Sequence, residues 1–147
     1  MSRLKILGGK KYLGAGIIIY HNNKYLLQKV KNKNAWEDFG GKTDKKDKNI
    51  IETAFRECEE ESNNILNRNY LIDLIEKNPN RCYYLLQDNL YFLYMIYISK
   101  KEKEFLENQD FGDFETYDNI ERKVSWVSKK ENFHPRILIN NFINKTR

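Results

Sequence analysis

The chain has 147 residues, 40% apolar and 32% charged, a balance that suits one folded domain over residues 1–147 and argues against disorder as the default. Two cysteines are too few for a disulfide framework or a zinc cluster, and no apolar run reaches the roughly 18–20 residues of a membrane span. A formal charge of +5 favours polyanionic partners, and the opening MSRLKILGGKK lacks signal-peptide architecture, so a cytoplasmic protein is expected.

In chain order, YLGAGIIIY at 12–20 and KYLLQKV at 24–30 read as strands of a hairpin, with Asn22-Asn23 supplying the positive φ that a tight turn requires. A short strand is expected around Trp36–Phe39, and the paired Gly40-Gly41 reads as a turn with an exposed carbonyl. A helix follows over about 49–62, ended by Asn63 or Asn64 in a left-handed cap. YLIDLIEK at 70–77 reads as a short helix, and RCYYLLQ with LYFLYMIYIS as a second hairpin turning at Asp88-Asn89. Ser99 with Glu102 signals a capped helix through about Glu107, and Ser128 with Glu131 repeats that signal. FGDFETYDNIE reads as an acidic loop, KVSWV as a strand, and PRILINNFIN as a final amphipathic helix with Pro135 in its first turn.

The 49–62 helix carries the chemistry. Ile51, Ala54, Phe55 and Cys58 form its core stripe, while Glu57, Glu60 and Glu61 gather on a neighbouring face at i, i+3 and i+4. Like charges so placed repel, with no lysine on that face to offset them, and a hard divalent cation would reverse the sign. The Gly40-Gly41 carbonyl adds another hard oxygen, and Lys42, Lys45, Lys46 and Lys48 suit phosphate oxygens. Such components suit a metal-assisted phosphoryl-transfer site.

This stretch resembles the Nudix box of the MutT-type hydrolases. Gly41 opens the box, Asp47 stands where its first Glu belongs, and Arg56-Glu57-Cys58-Glu59-Glu60-Glu61 matches its Arg-Glu and Glu-Glu core. WEDFGGK is similar to the family's Trp-x-x-Pro-Gly-Gly-Lys lead-in. The departures are one extra residue between Asp47 and Arg56, Phe39 for Pro, and Asn63-Asn64 for Gly and an apolar residue.

The resemblance implies an α/β Nudix fold, a mixed β-sheet sandwiched between α-helices, and metal-dependent hydrolysis of a pyrophosphate bond. By position, Glu57, Glu60, Glu61 and the Gly40 carbonyl would ligate Mg²⁺ or Mn²⁺, and Arg56 would orient a carboxylate. The base would be Glu57 or a carboxylate of the acidic loop, where Glu121 is the first choice beside Asp118 and Glu115. Lys42, Lys29, Lys31 and Trp36 are the substrate-binding candidates. A dense lysine rim favours a nucleoside or dinucleoside polyphosphate, with capped RNA or a diphosphoinositol polyphosphate as alternatives. A catalytically silent domain binding nucleotide or RNA is the alternative of another class, whose natural mark would be loss of one of the three glutamates.

Overall fold

The computed structural model describes residues 5–7, 10–86 and 90–137. Its first elements are two short paired strands, β1 (Lys5–Leu7) and β2 (Lys10–Tyr12), too short to have stood out by period. The expected first hairpin is β3 (Gly14–His21) and β4 (Lys24–Val30), with Asn22 at φ +52 in the turn. Next come β5 (Phe39–Lys42) and α1 (Ile50–Glu61), then α2 (Arg68–Lys77). The second hairpin is β6 (Tyr83–Leu86) with β7 (Tyr91–Tyr97); its Asp88-Asn89 turn lies outside the described residues. Then follow α3 (Lys100–Glu107), β8 (Phe114–Glu115), β9 (Ile120–Val127) and a 3-10 turn at Pro135–Ile137.

The local signals account for most helix ends. Asn49 caps α1 through Glu52 N–H, and Asn63 and Asn64 both take positive φ beyond its last turn. Ser99 and Glu102 form the full capping box of α3. Ser128 and Glu131 do not begin a helix; Glu131 N–H closes a turn onto the Ser128 carbonyl. Beyond Ile137 the expected last helix lies outside the described residues.

The seven-stranded sheet runs β6-β7-β3-β4-β9-β8, with β5 also pairing β3. β3 is its axis. It is parallel to β7 on one side, while the other side is shared by β5 along Gly14–Ile17 and β4 along Ile19–His21. Beyond that fork β4 and β5 part, and the segment before β5 meets β4 at an isolated bridge between Gln28 and Glu37. The α-helices pack on one face through Phe55, Cys58, Leu71, Leu74 and Leu106 against Ile17, Leu26 and Phe92. Trp36, Phe133 and Ile137 cover Ile18, Leu27, Leu93 and Met95 on the opposite face. Among the described residues no helix is long and apolar enough to cross a membrane.

The glycine pair corrects the sequence reading. Gly40 and Gly41 are not a turn, and Trp36–Phe39 is not the strand; the strand is Phe39–Lys42, registering Gly40 opposite Gly16. Glycine is needed here for close approach rather than for positive φ, which neither residue adopts. A Cβ on Gly40 would run into the Tyr91 hydroxyl and the Ala15 carbonyl, and one on Gly41 would lie 2.5–2.6 Å from the Glu57 carboxylate. Gly40→Ala is therefore expected to lower stability by about 1–3 kcal/mol through overpacking. Urea unfolding checks this, and an unchanged midpoint would contradict so tight a contact.

Candidate active site at the end of the acidic helix

Arg56 points from α1 back onto the preceding loop and uses all five of its N–H donors. Nε and Nη2 grip Asp47 at 2.8 and 3.1 Å, Nη1 donates to Glu57 at 3.1 Å and Glu60 at 2.9 Å, and Nη2 reaches the Lys42 carbonyl at 2.9 Å. The acidic face thus has its own cation, where the reading from helix spacing counted only lysine. Asp47, despite its short side chain and the extra residue before α1, meets Arg56 in bidentate fashion. It also accepts from Thr53 Oγ1 at 2.7 Å and Asp44 N–H at 2.9 Å. Burial opposes the charge of Asp47, but Arg56, Thr53 and the Asp44 N–H outweigh it and hold the carboxyl below its ordinary range.

Glu61 faces the opposite way, toward the fork between β4 and β5. Its Oε1 accepts from Gly40 N–H at 2.7 Å and from Gln28 Nε2 at 2.9 Å. Thr43 N–H bonds the Leu13 carbonyl, so the alternation of the β3–β5 ladder turns both polar groups of Gly40 away from β3, toward this carboxylate. Burial, and then the charge of Glu57, push the Glu61 carboxyl up to about 9. Burial also raises Glu57, with Glu60 adding to it against the pull of Arg56.

The three glutamates do not converge on one point as the helix spacing suggested. Among the described residues no three His, Cys, Asp or Glu side chains form a ready ligand cluster, because Arg56 draws Glu57 and Glu60 while Gly40 and Gln28 hold Glu61. The hydrogen bonds described engage one oxygen of each glutamate. What remains is an all-oxygen set around Gly40-Gly41 with negative charge in poorly solvated surroundings, the chemistry that fits a hard divalent cation.

A family model described as NUDIX domain matches residues 10–142. The chain belongs to the Nudix family. This is a superfamily of pyrophosphohydrolases whose members generally use divalent metals such as Mg²⁺ or Mn²⁺. No curated protein matches the chain.

The Nudix box residues Arg56, Glu57, Glu60 and Glu61 stand together with Gly40 and Lys42, whereas the other candidates form a second group. Lys29 and Lys31 line an open depression of about 270 Å³ with Lys33, Glu121 and Lys123. Lys29 Nζ lies 5.8 Å from the Trp36 ring. Glu121 is on β9 rather than in a loop and pairs with Lys31 at 3.3 Å. Of the acidic stretch it is Glu115 that is buried within the field of the helix: Glu57 and Glu60 are coupled to it electrostatically, and burial with Asp118 raises its carboxyl.

Four residues escaped the sequence reading. Gln28 joins Glu61 to the Asp38 carbonyl, and its signal was a lone amide in an apolar strand. Asp38, fully buried, accepts from Arg136 Nε at 2.8 Å and from the Tyr91 hydroxyl, beneath Gly16 and Gly40. Arg122 donates to the carbonyls of Glu61, Phe111 and Gly112. No local pattern marks Asp38, Arg122 or Arg136, because their partners are distant in sequence.

Asp47→Asn is expected to lower stability at pH 7 by about 2–3 kcal/mol, the scale of lost charge-assisted hydrogen bonds. The folded-state pKa of Asp47 is depressed, so its contribution is full above the unfolded value near 4 and fades as pH falls through the folded one. Urea unfolding of wild type and variant should therefore differ at pH 7 and approach each other in strong acid; an equal gap at both would contradict the pairing.

Proposed function

We propose that this Nudix protein is a metal-dependent hydrolase that cleaves a pyrophosphate bond in a nucleoside or dinucleoside polyphosphate. The observation that carries the reading is the set of helix carboxylates packed around Gly40-Gly41, with Glu61 pushed up to about 9 by burial and by Glu57. A cation held by Glu57, Glu60, Glu61 and the Gly40 carbonyl would relieve that repulsion. When bound, Mg²⁺ or Mn²⁺ supplies the positive charge that polarises phosphate oxygens and makes water nucleophilic near neutral pH.

The chain's own groups divide the remaining work. Water attacks one phosphorus, the bridging P–O bond breaks, and the proton of the attacking water passes to a carboxylate. Glu115 is a better candidate acceptor than Glu121, being buried, coupled electrostatically to Glu57 and Glu60 and raised in proton affinity chiefly by burial, whereas Glu121 is engaged by Lys31. Arg56 fixes the rotamers of Glu57 and Glu60. Lys42 and the loop lysines after it neutralise the departing phosphate. Lys29, Lys31 and Trp36 would take further phosphates or a base, which supports a polyphosphorylated substrate over a single sugar-linked diphosphate. Cytoplasmic residence accords with such a substrate.

Glu60→Gln is expected to abolish turnover in saturating Mg²⁺ while the fold stays intact, with a single cooperative melting transition, and full activity of that variant would contradict the assignment. Glu115→Gln should lower kcat by roughly 10²–10⁴, the scale of a lost general base. Glu121→Gln should stay within a few-fold of wild type, and the reverse ranking would return the role to Glu121.

A further inference from the structure

The residue after the α1 cap departs from the Nudix box, and its side chain makes a contact that glycine there could not. Asn63 sits at φ +54, where the box has Gly, and its backbone still closes the helix end. Its amide spans the 111–116 segment. Nδ2 donates to the carbonyls of Phe111 and Phe114, both at 2.8 Å, and Oδ1 accepts from Thr116 N–H at 2.8 Å and Thr116 Oγ1 at 2.7 Å. All four hydrogen-bonding positions of the amide are therefore satisfied, two on one side of Glu115 in the chain and two on the other. Arg122 clips the same segment from β9 through the Phe111 and Gly112 carbonyls, and joins it to the Glu61 carbonyl at 2.9 Å.

We propose that Asn63 is a positioning residue for Glu115, holding the 111–116 segment so that this carboxylate faces Glu57 and Glu60. The proposal rests on the reading of Glu115 as the proton acceptor. Its logic is geometric: the helix that presents the glutamates ends in a side chain that grips the segment presenting Glu115, so both halves of the site are referred to one helix terminus. A glycine at this position would keep the backbone turn and lose the grip. Asn63 is thus the point at which this chain fixes by an amide a relation that the box itself does not specify.

Asn63→Gly is the informative variant, because it preserves the positive φ and removes only the amide. The test is a double-mutant cycle with Glu115→Gln, read as kcat and KM for the best polyphosphate substrate, with hydrogen exchange at the Thr116 amide alongside. Asn63→Gly is expected to lower kcat by roughly ten- to a hundredfold, the scale of a misplaced catalytic group, with KM within about twofold. In the Glu115→Gln background the same change should have little further effect, since Asn63 acts through Glu115. Thr116 exchange should quicken in Asn63→Gly whether or not turnover is detected. Wild-type kcat in Asn63→Gly, an equal loss in both backgrounds, or unaltered Thr116 exchange would each overturn the proposal. Full activity of Glu115→Gln would sink the assignment of Glu115, whereas an inactive wild type would sink the hydrolase reading and leave the Thr116 exchange to decide the tether.

Discussion

One guanidinium organises the site. Arg56 binds a loop carboxylate, a strand carbonyl and two glutamates of its own helix, so the loop after β5, the end of β5 and the acidic face of α1 cannot move independently. Neighbouring anions stabilise the charge of Arg56, which in turn makes the carboxylate row tolerable. Without it, Glu57 and Glu60 would repel at close range on a face partly shielded from water. The substitution of Asp for Glu at position 47 and the extra residue before the helix are absorbed here: the loop brings the shorter acid within hydrogen-bond reach, and Thr53 adds a second support.

The fork of the sheet gives this cluster its location. Because β4 and β5 both border β3 and then separate, a polar seam opens where Gln28, Gly40 and Glu61 meet. Gly16 and Gly40 let the strands close over the Asp38–Tyr91–Arg136 group with no side chain between them. The sheet's period of two then separates functions by face. Gln28 turns to α1, while Lys29 and its cross-strand partner Lys123 turn to the other side and line the basic depression. Carboxylates and lysines are kept apart by a single residue step along β4, an arrangement suited, on the proposed reading, to a substrate carrying both a scissile pyrophosphate and further phosphates.

What could be read from the sequence was local. The α1 stripe, the Asn49 and Asn63 ends, the Ser99–Glu102 box and the Asn22 turn each depend on residues within one or two turns, and all are present, except that Ile50 takes the buried place at the head of the stripe and Ile51 is only partly buried. The arginine–glutamate spacing also carried the family. The glycine pair misled because glycine serves tight turns and close packing alike, and only the Tyr91 hydroxyl and the Glu57 carboxylate, contributed by other elements, decide between them. The acids of 113–121 could not be told apart by sequence for the same reason. Their sequence context is alike, and it is the β8–β9 pairing, with the Asn63 tether, that buries Glu115 and leaves Glu121 to Lys31.

The most direct test of the account is phosphate release by the wild-type protein with Mg²⁺ or Mn²⁺, across nucleoside triphosphates, dinucleoside polyphosphates, ADP-ribose, capped RNA and diphosphoinositol polyphosphates. The account predicts cation-dependent turnover, highest with a substrate bearing several consecutive phosphates. Binding of these compounds without hydrolysis of any, in either metal, would contradict it and assign the fold a non-catalytic role.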